Sequence, residues 1–437
     1  MATFQLREIA EIIQQPIKRD RLITGFQQDQ RLLFPGHLFF AIKGEKVDGH
    51  TFLSEAAQKG AVAAVVSQNY SGGDHGLELI KVENVLFALH AIAQAIHRQR
   101  SMKIIGVTGS VGKTTTKEFI ATLLEESFRV GKTPGNANSQ VGLPLSLLNA
   151  DGNEEVFVAE MGMSQPGELT RLVQIAPPEI SVLTNVSLAH VSYFQEGIEG
   201  IAKAKSEIFS SSLTRVGVVS SQAFFFESVQ RAMGCEPIVY GLKEGDYYLN
   251  GCSVMERGTA SPKIDLPFEA SHLRENFVAA AIVARLMGMD WPTIRTQAMK
   301  LTTISGRFQQ LVHEGITVVN DSYNANAISM KAALLNLPQP PAGKRTIGVL
   351  GAMRELGDYS VSCHEEVAQI ALDTVDDLLC LGDECQPMID LFHKNNRHAE
   401  LYMDLQLLKK RLFEMAQPGD VVLLKGSNSN QLWKVLS

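Results

Sequence analysis

The amino-acid sequence predicts an α/β protein of three domains, on the strength of three observations. The chain has 437 residues, which exceeds the usual size of one domain and suffices for about three. Short apolar runs alternate with stretches of helical periodicity, as is typical of mainly parallel sheets covered by helices. A glycine-rich turn near residue 110 joins one of these runs to a helical stretch. Such turns are typical of α/β domains that bind phosphate groups.

The first domain is expected over residues 1–82 as a small α/β unit. It contains two strand-like apolar runs, at 38–42 and 61–66, and a polar break at 71–76. Glycine and aspartate in such a break favour a loop rather than a continued element. The domain is therefore expected to end shortly after this loop.

The central domain is expected over residues 83–306. A helical pattern at 84–100 leads into an apolar strand, and further strand-like runs follow, separated by helical stretches. This alternation predicts a mainly parallel sheet with helices on both faces. The strand-like runs after the glycine-rich turn are VFVAE at 156–160, ISVLTNV at 180–186 and GVVS at 217–220.

The third domain is expected over residues 307–437, where the alternating pattern begins again. Each apolar run is separated from the next by a helical stretch, which predicts a doubly wound, Rossmann-like domain. The runs are ITVVNDS, TIGVLGAM, DDLLCLGD and DVVLLKGS.

Composition and charge exclude several classes of protein. The formal net charge is −7 and no basic run is present, which argues against binding to nucleic acid. No apolar stretch reaches the length of a membrane span and the first residues do not resemble a signal peptide, so a cytoplasmic location without membrane insertion is expected. The five cysteines are odd in number and lack paired metal-binding spacing, which predicts reduced thiols.

The stretch KIIGVTGSVGKTTTKE at 103–118 predicts a phosphate-binding loop, or P-loop, that binds ATP or GTP. Its glycines allow backbone N–H groups to point inward, the following helix directs its positive dipole end at the anion, and the lysine adds a charge. The first glycine of the usual motif is replaced by Val107. The alternative is a glycine turn with a solvated lysine. The cradle consists of Gly109, Ser110, Val111, Gly112, Lys113, Thr114 and Thr115.

Other candidate functional residues follow predicted strands or lie on predicted helices. Glu160 ends a strand after the loop and is a candidate Mg²⁺ ligand, since ligands gather at the carboxyl ends of parallel strands. His190 either coordinates metal or caps a loop. Lys203 and Lys205 lie on a predicted helix, and because they are two residues apart at most one of them faces the site.

Seven segments, in order and spacing, resemble the Mur ligases, which are ATP-dependent amide-forming enzymes of peptidoglycan synthesis. The resemblance extends from about Asp29 to the end of the chain. Within the family, DSYNAN, MRELG and LLKGS resemble the member that joins D-Ala-D-Ala to UDP-N-acetylmuramoyl-tripeptide. The segments are TGSVGKTTTKE, GNANSQVGLP, VAEMGMSQPGEL, TNVSLAH, AKAKSEIF, SGRF and NDSYNAN.

This resemblance implies a reaction in which ATP phosphorylates the terminal carboxylate of the UDP-muramoyl-tripeptide and the incoming amine attacks the acyl phosphate. It implies two Mg²⁺ ions. The first is expected between Thr114, Glu160 and the phosphates. The second is expected to be bound by His190 and a carbamylated lysine. Lys205 matches this lysine of the family, and the alternative is that Lys203 is the modified residue and Lys205 is not.

The resemblance also implies contacts for the nucleotide. Asn276 matches the residue that contacts adenine, and Asn326 matches a second residue that contacts the nucleotide. Asp321 matches the acidic residue that binds the ribose of ATP. Arg307, at the hinge into the third domain, is expected to reach phosphate when the domains close. From the residues alone, the alternatives are that Asn276 is a polar turn residue and that Arg307 is a surface charge.

For the other substrates, the resemblance implies a uridine-nucleotide site in the first domain and binding of the incoming dipeptide by the third domain. The matching uridine-site residues are Arg31, Lys43, Gly44 and Glu45, and those that meet the muramoyl-peptide are Asn136, Asn138 and Ser139.

Four positions depart from the family pattern, and they concern substrate recognition more than phosphate or metal binding. They are Gln30, Ser192, Ala352 and Asn428. Three alternatives therefore remain: another amino-acid-adding Mur-type ligase, a folate polyglutamate ligase, and a non-catalytic nucleotide-binding regulatory or scaffold protein. A folate ligase does not begin with a domain like residues 1–82. A monomer whose domains close around the substrates is expected.

Overall fold

The computed structural model describes residues 2–188 and 191–436, and within them it confirms the α/β architecture of three domains. Each domain has one main sheet with mostly parallel strands. In the described part of the chain, no helix combines the length and the apolar composition needed to cross a membrane.

The first domain is built on a parallel sheet in the order β3-β4-β5-β6, with β1 and β2 forming a separate antiparallel pair. Its inward side chains, such as Phe26, Phe40 and Val65, are fully or almost fully buried. The elements are β1 Phe4–Gln5, α1 Leu6–Ile12, β2 Leu22–Ile23, β3 Gly25–Gln27, β4 His37–Phe40, α2 Leu53–Gln58, β5 Ala63–Ser67 and β6 Glu78–Val82.

The middle domain contains a nine-stranded sheet in the order β15-β14-β13-β12-β11-β10-β7-β9-β8. Its elements begin with α3 Val85–Arg98, β7 Lys103–Thr108, α4 Lys113–Leu124, β8 Val130–Lys132, α5 Gly142–Leu148, β9 Val156–Glu160, α6 Glu168–Ile175, β10 Ile180–Leu183 and α7 Gly197–Ser206. They continue with β11 Val216–Ser220, α8 Ser221–Phe224, α9 Glu227–Ala232, β12 Glu236–Gly241, β13 Tyr247–Asn250, β14 Ser253–Glu256, β15 Thr259–Ala260, α10 Ser271–Leu286 and α11 Trp291–Ala298.

Strand β7 lies between β10 and β9 in this sheet and leads into the glycine-rich loop. The strand pairs in parallel with β9 on one side and with β10 on the other. Their carboxyl ends therefore meet at one edge, where open α/β sheets bind ligands. Val107 is fully buried inside β7 and lies opposite Glu160 of β9. The valine thus extends the strand, and the turn that follows it is short.

The third domain has a six-stranded sheet in the order β16-β17-β21-β18-β19-β20, in which only the β16–β17 pair is antiparallel. This agrees with the doubly wound domain that the sequence predicts. The elements are β16 Gln309–His313, β17 Ile316–Asn320, α12 Ala327–Leu335, β18 Thr346–Gly351, α13 Ser360–Thr374, β19 Asp377–Leu381, α14 Gln386–Lys394, β20 Ala399–Tyr402, α15 Leu405–Met415 and β21 Val421–Lys425.

Asn149, at the end of α5, connects the first domain to the middle domain. Its side chain accepts a hydrogen bond from the backbone N of Phe26 at 2.9 Å and donates one to the backbone O of the same residue at 2.9 Å. Phe26 belongs to β3, an edge strand of the first sheet. The asparagine amide therefore pairs with this edge as a neighbouring strand would.

We expect Asn149→Ala to destabilise the contact between these domains by about 1–3 kcal/mol, because both backbone groups of Phe26 lose their partner. The measurement is the first transition in urea unfolding. An exposed asparagine in the middle domain, Asn250, provides the control variant Asn250→Ala, which should unfold like the wild type. Unfolding of Asn149→Ala at the wild-type urea concentration would contradict the connecting role.

Candidate active site

The loop of residues 109–112 joins β7 to α4 in a tight turn. Gly109 and Gly112 have φ angles of +148° and +85°, which glycine adopts without steric cost. A Cβ atom on Gly109 would lie 1.9 Å from Oγ1 of Thr184, and one on Gly112 would lie 2.6 Å from Oδ1 of Asn276. Both positions therefore require glycine. Since the first N–H groups of a helix lack helical partners, the loop and the start of α4 have the geometry typical of an anion-binding turn.

The segment after β10 holds this loop in place. Asn185 accepts a hydrogen bond from the backbone N of Ser110 at its carbonyl O, 3.0 Å away, and one from the backbone N of Val111 at Oδ1, 2.8 Å away. Thr184 donates from Oγ1 to the carbonyl O of Val111 at 2.5 Å. The hydroxyl of Ser110 donates to the carbonyl O of Ser187 at 3.1 Å. The TNVS stretch therefore has a structural function in shaping the loop.

Lys113 begins α4 and folds back over the loop. Its Nζ donates to the carbonyl O of Gly109 at 2.6 Å and to that of Ser110 at 3.3 Å. Burial lowers the pKa of Lys113 to about 8, while the Glu160 carboxylate acts in the opposite direction. The lysine is thus a proton-sensitive cation next to the anion-binding turn.

Glu160, at the end of β9, is almost fully buried beside the loop. Its Oε1 accepts a hydrogen bond from Nδ2 of Asn138 at 2.7 Å. Its Oε2 is buried and has no hydrogen-bond partner among the described residues, although Nζ of Lys117 lies 3.8 Å away. A buried carboxylate oxygen without a donor is costly unless a cation compensates it.

This oxygen is compatible with the predicted Mg²⁺ ion, for which the hydroxyl of Thr114 stays the second predicted ligand. Mg²⁺ prefers oxygen ligands and is usually bound by one or two carboxylates and the phosphates of the substrate. Within residues 2–188 and 191–436, no group of three or more His, Cys, Asp or Glu side chains could hold a metal ion. His190 lies outside the described residues, so its part in a second metal site stays a prediction.

Arg307 reaches from the hinge of the third domain into the middle domain. Its Nη2 donates to Oγ1 of Thr114 at 3.2 Å, across 193 positions of sequence. Its Cζ lies 3.9 Å from the centre of the Tyr323 ring. The guanidinium is therefore held directly beside the anion-binding turn.

Asp321 and Lys425 form a buried ion pair at the carboxyl ends of β17 and β21. Nζ of Lys425 lies 2.5 Å from Oδ2 of Asp321, whose Oδ1 accepts a hydrogen bond from the backbone N of Phe308 at 3.0 Å. The Phe308 ring makes an edge contact with the ring of His272, with centroids 4.8 Å apart. Asp321 thus fixes the hinge. Its contact with a ribose stays a prediction.

The two asparagines expected at the nucleotide occupy different surroundings. Asn276, on α10, lies against the loop at Gly112. Asn326 caps α12, where Oδ1 accepts from the backbone N of Ser329 at 2.9 Å, and its Nδ2 donates to Oγ of Ser187 at 3.5 Å. The capping role of Asn326 is local, and its contact with a nucleotide stays a prediction.

The two lysines of α7 differ in burial. Lys205 is only 3% exposed, whereas Lys203 is exposed to solvent. Burial lowers the pKa of Lys205 well below its usual value, and the charge of Lys113 lowers it further. Lys205 therefore belongs to the electrostatic surroundings of the loop.

A cavity of about 990 Å³ lies between the middle and third domains and brings most of these residues together. The predicted site residues that line it are Ser110, Val111, Gly112, Lys113, Thr115, Asn136, Asn138, Ser139, Glu160, Asn276, Arg307, Asp321 and Asn326. The four predicted uridine-site residues lie elsewhere, in the first domain. There Lys43, Gly44 and Glu45 form an exposed turn, and exposed Arg31 pairs with Asp29 at 2.6 Å.

Three residues of the site were not identified from the sequence. The ring of Tyr323 contacts the guanidinium of Arg307, and Lys425 forms an ion pair with Asp321. Buried Lys117 donates from Nζ to the carbonyl O of Thr133 at 2.7 Å, just before the loop of Asn136. Lys117 follows Lys113 by four positions on α4, so the helical spacing was the available signal.

Comparisons with known proteins agree with this arrangement. Three family models match the chain: "Mur ligase family, catalytic domain" at residues 23–100, "Mur ligase middle domain" at 107–284, and "Mur ligase, glutamate ligase domain" at 306–428. The matched segments correspond in order to the three sheets.

Individual relatives are similar over nearly their full length. The UDP-N-acetylmuramoyl-tripeptide–D-alanyl-D-alanine ligase of Synechocystis is 33% identical over 96% of this chain and 93% of its own. The protein of the same name in Bacillus subtilis is 32% identical over 99% and 97%. The structure of MurF ligase from Thermotoga maritima in complex with ADP has a TM-score of 0.79 and 30% identity, and covers 94% of this chain and 96% of its own.

The depressed pKa of Lys113 predicts a pH dependence of phosphate binding. A bound phosphate favours the charged lysine, so above about pH 8 the free protein has to take up a proton to bind ADP. We therefore expect the affinity for ADP, measured by calorimetry, to be highest below this pH and to fall by up to about tenfold per pH unit above it.

The control is Lys113→Arg, because a guanidinium keeps its proton over this range. Its affinity for ADP should vary little between pH 7 and 9.5, on the order of twofold or less. A wild-type affinity that does not change with pH over this interval would contradict the proton-sensitive role of Lys113.

Proposed function

The chain belongs to the Mur ligase family, and we propose that it joins D-Ala-D-Ala to UDP-N-acetylmuramoyl-tripeptide at the expense of ATP. The observation that carries this proposal is the similarity to curated ligases of this specificity over nearly the full length of both chains. A cavity that combines a phosphate-binding loop with a buried carboxylate supports the same chemistry. The product is a precursor of peptidoglycan. We propose a cytoplasmic location, because ATP is supplied there.

The middle domain supplies the groups for phosphoryl transfer. The loop and Lys113 bind and orient the phosphates of ATP, and Arg307 approaches the same place from the third domain. Bound Mg²⁺ supplies neutralisation of charge on the transferring phosphoryl group, and Thr114 and Glu160 are the residues that would hold it. Positioned charges of this kind favour transfer to the peptide carboxylate because they need no rearrangement during the reaction.

Lys205 is the proposed site of carbamylation. Its burial supports this assignment over Lys203, which is exposed. Burial also disfavours the ammonium form, and only a neutral amine can react with CO₂. The neutral amine forms an N–C bond with CO₂ and releases one proton, so a buried neutral group becomes an anion. A carbamate oxygen is a ligand that a hard cation prefers.

We propose that residues 1–82, 83–306 and 307–437 each bind one of the three substrates. We propose that the first domain binds the uridine nucleotide at the exposed turn that carries Lys43 and Glu45. The backbone N of Gly44 donates to the carbonyl O of Val47 at 2.9 Å, so this turn is closed and presents both charged side chains to solvent. Asn136, Asn138 and Ser139 then meet the peptide between the domains.

The topology of the third domain supports its role in binding the incoming dipeptide. Strand β21 follows the edge strand β20 along the chain but lies between β17 and β18, so the connection from β20 returns across the sheet. Ligands of open α/β sheets bind outside the carboxyl ends of the strands, and the carboxyl ends of the parallel strands β18 and β21 lie side by side. Here the backbone N of Arg354 donates to Oγ of Ser427 at 2.9 Å. The Arg354 guanidinium pairs with Glu384 and is the candidate group for binding the dipeptide carboxylate.

The test is phosphate release from ATP by the purified protein with Mg²⁺ and UDP-N-acetylmuramoyl-tripeptide, with D-Ala-D-Ala added or withheld. We expect release that depends on the dipeptide and a UDP-linked pentapeptide as product. Release that depends instead on a single amino acid would indicate another amino-acid-adding ligase. ADP binding without release for any amine tested would contradict the ligase and favour the regulatory alternative.

Lys205→Ala should lower turnover by roughly a hundredfold or more, since it removes an anionic group near the transferring phosphate. Added acetate or another short carboxylate should restore part of the activity. Lys203→Ala is the matched control two residues away and should retain wild-type turnover. Full activity of Lys205→Ala, or loss in Lys203→Ala alone, would contradict the assignment of the carbamate.

A further inference from the structure

Tyr323 lies directly beneath the guanidinium of Arg307, yet nothing in the proposed reaction assigns it a function. Cζ of Arg307 is 3.9 Å from the centre of the tyrosine ring. A cation this close to the face of an aromatic ring is attracted by the electron density of the ring. The same guanidinium also donates to Oγ1 of Thr114 at 3.2 Å. The arginine is thus held between an aromatic ring of the third domain and a hydroxyl of the middle domain.

The backbone around the hinge brings these two side chains together. The backbone N of Tyr323 donates to the carbonyl O of Gly306 at 3.1 Å, and the backbone N of Phe308 donates to Oδ1 of Asp321 at 3.0 Å. Gly306 and Phe308 have φ angles of +71° and +54°, so the hinge turns sharply on both sides of Arg307. These hydrogen bonds attach the hinge to the turn after β17.

The charges around Arg307 do not by themselves determine its orientation. Lys113 and Lys425 are cationic, and Glu160 and Asp321 are anionic. In residues 2–188 and 191–436, no carboxylate forms a salt bridge with the guanidinium, and the Asp321 carboxylate is paired with Lys425 at 2.5 Å. The stacked ring and the Thr114 hydroxyl are therefore the contacts that direct the arginine towards the anion-binding turn.

We propose that Tyr323 is a positioning residue, whose ring holds Arg307 over the phosphate-binding loop and thereby improves both nucleotide binding and phosphoryl transfer. The inference rests on the proposed function only in that the phosphate-bearing ligand is ATP or ADP. The ring face carries the effect, and the phenolic hydroxyl is not required for it. Without the ring, the guanidinium of Arg307 is free to adopt other orientations. The protein also loses the favourable free energy of the contact between the guanidinium and the ring.

The experiment is a double-mutant cycle between Tyr323→Leu and Arg307→Ala, with Tyr323→Phe as the conservative variant. The first readout is the affinity for Mg·ADP by calorimetry, without peptide substrates. A cation stacked on a ring and removed from water contributes a factor of roughly ten or more to an equilibrium constant. We therefore expect Tyr323→Leu to weaken the binding of Mg·ADP about tenfold. Tyr323→Phe should bind within about twofold of the wild type.

In the Arg307→Ala background, Tyr323→Leu should have little further effect, because the ring then has no cation to hold. Equal weakening by Tyr323→Leu in both backgrounds would overturn the proposal, since the ring would then act on the nucleotide directly. Equal impairment of Tyr323→Phe and Tyr323→Leu would also overturn it, by assigning the effect to the hydroxyl. Unchanged thermal unfolding of each variant identifies these as effects on the site.

The second readout is turnover in the dipeptide-dependent assay. There we expect Tyr323→Leu to lower kcat and raise KM for ATP, with little change in KM for the dipeptide. If no ligase activity is found but the binding cycle is non-additive, the proposed function fails and the positioning role stands. If activity is found and the binding cycle is additive, the positioning role fails and the function stands.

Discussion

The turn at Gly109 is the constraint on which the rest of the site depends. A side chain there would overlap Thr184, whose hydroxyl donates to the carbonyl O of Val111. Strand β7, the loop and the segment after β10 consequently pack as one unit. Because β9 pairs with the other side of β7, the same unit fixes Glu160 beside the loop. Because these strands are parallel neighbours, the loop, Glu160 and the segment after β10 lie together although they come from three separate parts of the chain.

The electrostatics of the site follow from this packing. Lys113 lies near Lys205, Arg307 and the Glu160 carboxylate, and the pKa of each of these three basic groups is lowered, chiefly by burial. Such crowding of like charges opposes folding, and residues of this kind are retained where function needs them. An anionic ligand at the loop relieves the repulsion. Conversion of Lys205 to a carbamate would relieve it in a second way and would add a ligand for a cation.

The sequence predicted the strands better than the contacts between domains. Buried parallel strands such as β9 (Val156–Glu160) are continuous apolar runs, and α3 (Val85–Arg98) has clear helical periodicity, so both were found. The contact of Arg307 with Thr114 spans 193 positions and depends on how two domains pack, which no local pattern encodes. The short strands β13–β15 at the far edge of the middle sheet were missed because two to four residues show no periodicity.

Two departures from the family pattern are accommodated within the third domain. Ala352 is fully buried, and a Cβ atom added to Gly382 would lie 3.1 Å from the Cβ of Ala352, so this alanine packs closely against the start of the loop after β19. Asn428 donates from Nδ2 to the carbonyl O of Tyr323 at 3.0 Å. It therefore joins the turn after β21 to the turn that carries the Arg307 stack. Because Tyr323 lies against Arg307, a substitution at position 428 removes a hydrogen bond from the turn that positions this arginine. This departure from the family pattern is therefore connected through one hydrogen bond to the surroundings of the phosphate-binding loop.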